Sequence, residues 1–152
     1  MGARLHHSAL CVRDLDASLR FYCDGLGLEE LMSRDFEGDW PSLFGAPSWR
    51  LRSVFLGDLA HPESGVVELV VFEGDDESPI PPTTPAGSPP RSGFFLLSFF
   101  VDVAATLDRL SRLGHAEVRR IEQPGPRGPV AMATVHDPDG VLVELVDRPP
   151  SP

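Results

Sequence analysis

Long apolar runs are missing from this chain. Nowhere in its 152 residues is there a stretch of about 18 apolar residues, nor a leader with a basic start and an apolar centre. The expectation is a soluble, cytoplasmic protein. Cysteine is scarce as well. The two present, Cys11 and Cys23, fall in an expected strand and helix and read as small buried thiols in a reducing compartment. Lysine is absent: all thirteen basic residues are arginine, a coding bias without functional content. Twenty-three acidic residues outweigh them, and the net charge of -10 argues against nucleic acid and anionic membrane as partners. A chain of this length forms one domain, or two small halves sharing a core. It buries about two-thirds of its unfolded surface, so folding requires no disulfide or structural metal.

What is present concentrates at residues 136–147, HDPDGVLVELVD. Aspartate, proline and glycine at 137–140 dictate a turn, and the β-branched and aliphatic run 141–146 reads as a strand. Glu144 lies in the middle of that run, between Val143 and Leu145, where a carboxylate is costly unless something pairs with it. Nearly the same phrase stands at Gly65-Val66-Val67-Glu68-Leu69-Val70, one residue shorter. Two copies of glycine, apolar, glutamate, apolar imply a duplicated unit with one carboxylate in each copy.

The rest of the chain fits that duplication. Residues 5–12 alternate as a strand with Leu5, His7, Ala9 and Cys11 on one face. Asp14 or Asp16 caps a helix with Leu15, Leu19, Tyr22 and Leu26 at helical spacing, ended by Gly25 and Gly27. Strands follow over 28–36, 49–56 and 66–72, with a loop at 37–48. The second unit repeats the β-α-β-β-β order. It has a strand at 94–101, a helix capped by Asp102 and stopped by Gly114, and strands at 117–122, 130–136 and 141–146. Between the units, residues 74–92 hold six prolines and almost nothing apolar, and read as an extended spacer or an active-site lid. The expected organisation is a module at 5–73, a linker at 74–92 and a module at 93–148. Matching the strand ends at Val12 and Val101 offsets the halves by 89 residues and sets His7 opposite Leu96, whereas the glutamates are 76 apart. The difference is about the length of loop 37–48, which reads as an insertion in the first half.

In such a unit the first and last strands of each half can line one cavity. The chemistry is then expected at His7 and Glu68 from one half, and at residue 96 and Glu144 from the other. An imidazole and two carboxylates in an apolar trough repel or desolvate one another unless they hold a divalent cation. With no thiolate, the set suits Zn, Ni, Mn, Co or Fe(II) and does not discriminate among them. The alternative is a satisfied core histidine with glutamates facing solvent from half-exposed strands. His6 is expected to point away from His7. His61 and His115 fall in turns, and His136 ends a strand beside the turn at 137–140. Arg50 and Arg52 read as a solvated edge face or as a clamp on an anionic substrate. Phe94, Phe95, Phe99 and Phe100 read mostly as core.

The run His7-Ser-Ala-Leu-Cys-Val12-Arg-Asp-Leu-Asp16-Ala-Ser-Leu-Arg-Phe21-Tyr22, continuing to Leu26-Gly27-Leu28, resembles the opening of a vicinal oxygen chelate protein. That superfamily includes glyoxalase I, methylmalonyl-CoA epimerase, extradiol dioxygenases and the fosfomycin and bleomycin resistance proteins. The Asp137-Pro138-Asp139-Gly140 turn with Glu144 resembles its C-terminal motif. The resemblance implies an α+β fold in which two βαβββ modules form a cupped mixed β-sheet around a central cavity, glyoxalase-like and often a homodimer. Open sheet edges also favour pairing with another module. A metal there chelates two vicinal oxygens of a small-molecule substrate. Carried over residue by residue, the four ligand positions fall on His7, Glu68, Leu96 and Glu144. Three match the lyase and epimerase pattern, and Leu96 cannot donate a lone pair. The function this implies is a divalent-metal-dependent lyase or isomerase/epimerase working by enediolate chemistry, with Glu68 or Glu144 moving the proton. Leu96 favours the alternative of a metal-free protein that binds a drug or aromatic ligand in the same cavity. Ring-cleaving dioxygenase chemistry is disfavoured, because it needs two histidines and one carboxylate around Fe(II).

Overall fold

A computed structural model describes residues 2–74, 90 and 92–148. The proline-rich spacer expected at 74–92 lies almost wholly outside the described residues. The chain divides into two compact units, residues 2–23 with 27–74, and residues 24–26 with 92–148.

The first unit runs β1 (Ser8–Cys11), α1 (Leu15–Leu19), β2 (Glu29–Glu37), α2 (Trp40–Phe44), β3 (Arg50–Gly57) and β4 (Val67–Phe72). Asp14 caps α1, its side chain accepting from the Ala17 N–H, which satisfies one of the orphan donors of the first turn. Where one continuous helix is expected, α1 passes into a π-helical turn, Arg20–Gly25, so Gly25 sits inside the turn and Gly27, at φ 87°, makes the exit. Phe21 and Tyr22 are both fully buried despite being adjacent. The expected loop at 37–48 contains α2. Asp39 caps it through the Ser42 N–H, Pro41 sits in its first turn, and Gly45 closes it in left-handed geometry at φ 66°.

The strands assemble in the order β1-β4-β3-β2, with β1 parallel to β4 and the other pairs antiparallel. The second unit repeats this arrangement. It consists of β5 (Leu97–Val101), α3 (Val103–Arg112), β6 (Glu117–Gly125), β7 (Gly128–His136) and β8 (Leu142–Asp147), in the order β5-β8-β7-β6 with β5 parallel to β8. Asp102 caps α3 through the Ala105 N–H. The expected α+β architecture of two βαβββ modules is the one observed.

Strand alternation decides which face of each sheet is free. In the second unit Ala133, Val135, Val143 and Leu145 are buried, together with Val103 and Leu110 of α3. Each fully buried Leu or Val stabilises the fold by about 1.5–3 kcal/mol, so this face is committed to the core. The alternate residues of β8, Leu142, Glu144 and Val146, are only half-buried. In the first unit Val54 and Leu56 of β3 and Val67 and Leu69 of β4 are buried on one face, and Glu68 belongs to the other.

The register confirms the duplication. Ala9 faces Glu68 on β4 and Ser98 faces Glu144 on β8, which reproduces the offset of 89 for the first strands and 76 for the last. Most of the difference arises between the second and third strands, where α2 and its flanks stand in for the short Pro126–Arg127 connection of the second unit. The thiols depart from expectation. Cys11 is exposed and Cys23 half-buried, because β1 is an edge strand and Cys11 lies with Ala9 at the outer margin of the face that carries Glu68. Phe94, Phe95 and Phe100 are likewise exposed, at 70%, 52% and 63%, and are not core.

Candidate active site

Glu68 lies at the centre of its sheet, with Ala9 of β1 in register on one side and Phe55 of β3 on the other. Its carboxylate is mostly buried and held from two directions. Glu68 Oε2 stands 2.9 Å from His7 Nε2, and Ser53, fully buried on β3, donates its hydroxyl to Glu68 Oε1. The His7 imidazole is fixed again by the Phe55 ring, edge-on at 5.5 Å, and by His6, whose Nδ1 meets His7 Nδ1. The expectation that His6 points away does not hold. β1 begins only at Ser8, so the alternation of a strand does not govern residues 6 and 7, and the two rings meet edge to face.

That contact bears on the tautomer. With Nε2 donating to Glu68, a neutral His7 accepts from His6 at Nδ1; with the proton on Nδ1, donated to His6, Nε2 presents a lone pair.

In the second unit Glu144 occupies the matching place on β8, between Ser98 of β5 and Thr134 of β7. Ser98 Oγ donates to Glu144 Oε2 at 2.7 Å. Leu96, the counterpart of His7, is half-buried just before β5 and offers no donor. Two ranks of side chains therefore cross the free face. One is polar, Ser98-Glu144-Thr134-Arg119, and the next is apolar, Phe100-Val146-Met132-Ile121.

The turn before Glu144 is built around Asp137. This carboxylate is buried, and its Oδ1 accepts from the backbone N–H groups of Asp139 and Val141 at 2.9 and 2.8 Å. Gly140, at φ 85°, completes the turn in a conformation that disfavours any side chain. Burial pushes the His115 imidazole below its ordinary value, and the Asp137 carboxylate partly offsets this.

The remaining polar candidates are used locally. His61 Nδ1 is 3.2 Å from Asp58. Arg50 and Arg52, on an inner strand and not at an edge, pair with Glu37 at 3.4 Å and Asp35 at 3.2 Å. An open cleft of about 470 Å³ is lined by these four residues with Phe36, Leu51, Val71 and Glu73. Arg52 and Val71 face each other there, on the opposite side of the sheet from Glu68, so the cleft is separate from the His7–Glu68 pair. Its two guanidinium groups each pair with a carboxylate of the neighbouring strand.

Among the described residues no group of three or more His, Cys, Asp or Glu side chains lies close enough to hold a metal ion. The donors present nonetheless fit one edge of such a site. Two ligands at adjacent corners of an ion with bonds of about 2.0–2.2 Å lie roughly 3–3.4 Å apart, close to the His7–Glu68 separation. The sequence singles out His7, Glu68 and Glu144 but gives no sign of Ser53 and Ser98. The serines become legible only once the strand register is known.

The chain is similar to known proteins in sequence and in fold. The model of the Glyoxalase/Bleomycin resistance protein/Dioxygenase superfamily matches residues 4–145, and the chain belongs to that family. It is 41% identical over 152 residues to the lactoylglutathione lyase-like protein terB of Aspergillus terreus, covering 95% of this chain and 75% of that protein. It is 32% identical to a probable lactoylglutathione lyase of Synechocystis, over 93% of both chains. A glyoxalase family protein of Bacillus cereus shares the fold, with a TM-score of 0.77 over 97% of this chain and 95% of that one, at 19% identity. Glyoxalase I of Zea mays matches with a TM-score of 0.66 and 26% identity over 98% of this chain, which spans about half (46%) of the maize protein.

Proposed function

We propose that this chain is a divalent-metal-dependent lyase or isomerase/epimerase of the glyoxalase type, acting on a small oxygenated substrate. The observation that carries the reading is the His7–Glu68 pair, two potential ligands 2.9 Å apart and each held by a further polar side chain. His7, Glu68 and Glu144 are the residues assigned to the ion, Glu144 by its equivalence to Glu68 in the repeat. When bound, a divalent ion supplies Lewis-acid polarisation of the substrate's oxygens. The glutamates supply the base that moves a proton at the carbon alpha to a carbonyl. Leu96 would contribute no donor to such an ion. The names of the relatives, lactoylglutathione lyases, support enzyme chemistry of this class.

The same reading takes residues 5–73 and 93–148 as the modules of one glyoxalase-like domain joined by 74–92, pairing as a homodimer in the cytoplasm. No helix among the described residues is long and apolar enough to cross a membrane. A second reading, a metal-free protein binding a drug or aromatic ligand, is favoured by Leu96 and by the apolar rank Phe100-Val146-Met132-Ile121 beside Glu144.

Deuterium incorporation separates the two. Lactoylglutathione and simple 2-hydroxy ketones are incubated with the protein in D2O, with and without Zn, Ni, Mn or Co, and the alpha carbon is followed by NMR. Metal-dependent exchange that disappears in Glu68→Gln and Glu144→Gln is the expected result. No exchange with any substrate and metal overturns the lyase/isomerase reading.

A further inference from the structure

We infer that Ser53 and Ser98 are positioning residues that hold the two glutamates. Each ties down one carboxylate oxygen, which leaves the other for a second contact, in Glu68 with His7. This rests on the reading that Glu68 and Glu144 are the working carboxylates.

The repeat carries the argument. Ser53 lies on the third strand of its module, facing Val70, and the matching residue of the second module, facing Val146, is Met132. Ser98 lies on the first strand of its module, facing Glu144, and the matching residue of the first module, facing Glu68, is Ala9. At both positions the fold accommodates an apolar residue, so neither serine is required by the architecture. Each module nevertheless delivers one hydroxyl to its glutamate, from β3 to Glu68 and from β5 to Glu144. Two different strands providing the same contact is what a requirement of the carboxylate produces; a requirement of the sheet would place the serine on the same strand both times.

The burial of Ser53 sharpens the point. It is fully buried on a strand whose other buried residues include Leu51, Val54 and Leu56, and a hydroxyl there is costly unless it is used. Glu68 uses it. The consequence is a division of the carboxylate's two oxygens. In Glu68, Oε1 is taken by Ser53 and Oε2 is left at His7. In Glu144, Oε2 is taken by Ser98 and Oε1 remains. Outer-shell partners of this kind fix the orientation in which a carboxylate meets an ion or a substrate proton.

The test uses the full-length protein with Ser53→Ala, Ser98→Ala and Ser98→Thr. Ser98 is exposed, so the extra methyl of threonine has room. Calorimetric titration with Ni²⁺ and Zn²⁺ is expected to show affinity weakened about 10–100-fold in each alanine variant, the usual cost of losing an outer-shell partner, and restored in Ser98→Thr. Infrared spectra of the metal-free protein with ¹³C-labelled glutamate give a second readout. The carboxylate band of one glutamate shifts in each alanine variant and returns in Ser98→Thr. A wild-type protein that takes up no ion refutes the metal reading, and the infrared bands alone then decide this proposal. Unchanged bands in both alanine variants overturn it whether or not an ion binds, as does a weakened affinity that threonine fails to restore.

Discussion

Replacing Asp137 by alanine removes the acceptor on which the turn before Glu144 is built. The wild-type carboxylate is 4% exposed and accepts two backbone N–H groups, from Asp139 at 2.9 Å and Val141 at 2.8 Å. The main chain closes the same turn, with Asp137 N–H donating to the Val141 carbonyl and Gly140 N–H to the Asp137 carbonyl, each at 3.0 Å. A hydrogen bond to a charged group contributes about 1.5–3 kcal/mol. The two here share one oxygen, and the half-buried residues 138–141 let water reach the abandoned donors. The expected loss is therefore about 2–3 kcal/mol, below the sum of two independent bonds. For a chain of this size that corresponds to a fall of roughly 5–10 °C in Tm. Asp137→Asn keeps a carbonyl oxygen in the same place and should lose less than half as much. Equilibrium urea unfolding followed by circular dichroism measures both. An alanine variant within about 0.5 kcal/mol of wild type, the range of an ordinary surface substitution, refutes the assignment of this carboxylate as the centre of the turn.

Other expectations follow from the same contacts. His115 has its pKa lowered from 6.5 by burial, against a raising influence from Asp137. Protonation therefore favours the unfolded chain, so stability is full above the unfolded value and falls as pH drops through the folded one. His115→Gln should flatten that part of the profile, and urea midpoints measured across it test this; an unchanged slope contradicts it. Sedimentation at micromolar concentration should give a dimer, and a monomer contradicts the proposed pairing of modules.

The parts of the fold that were legible in the sequence are those set by local chemistry repeated twice. The phrase around Glu68 and Glu144, with its turn residues and alternating strand, gave the duplication, and the register Ala9–Glu68 and Ser98–Glu144 reproduces the offset read from it. Helix α2 was missed although its signals were present, Asp39 as cap, Pro41 in the first turn and Gly45 at the end, because five residues carry too little apolar periodicity. The π-helical turn at Arg20–Gly25 has no local signature and shows only in the burial of the adjacent Phe21 and Tyr22. The strand of Cys11 is legible in the sequence and its exposure is not, since edge position is a property of the whole sheet. The candidate site divides in the same way. Glu68 and Glu144 stand out as carboxylates at matching points of the repeat, and His7 as an imidazole leading into the first strand. His6, Ser53 and Ser98 become visible only once strand ends and cross-strand partners are fixed.

The most direct test of the central claim is metal uptake. Purified protein is subjected to elemental analysis and then titrated calorimetrically with Zn, Ni, Mn and Co, beside Leu96→His, whose new imidazole occupies the repeat position of His7. Wild type is expected to carry or take up a divalent ion, His7→Ala to abolish this, and Leu96→His to tighten it by adding a protein ligand. If wild type binds none of the four and Leu96→His gains none, the protein is not a metalloenzyme, and Glu68 and Glu144 belong to a metal-free binding protein.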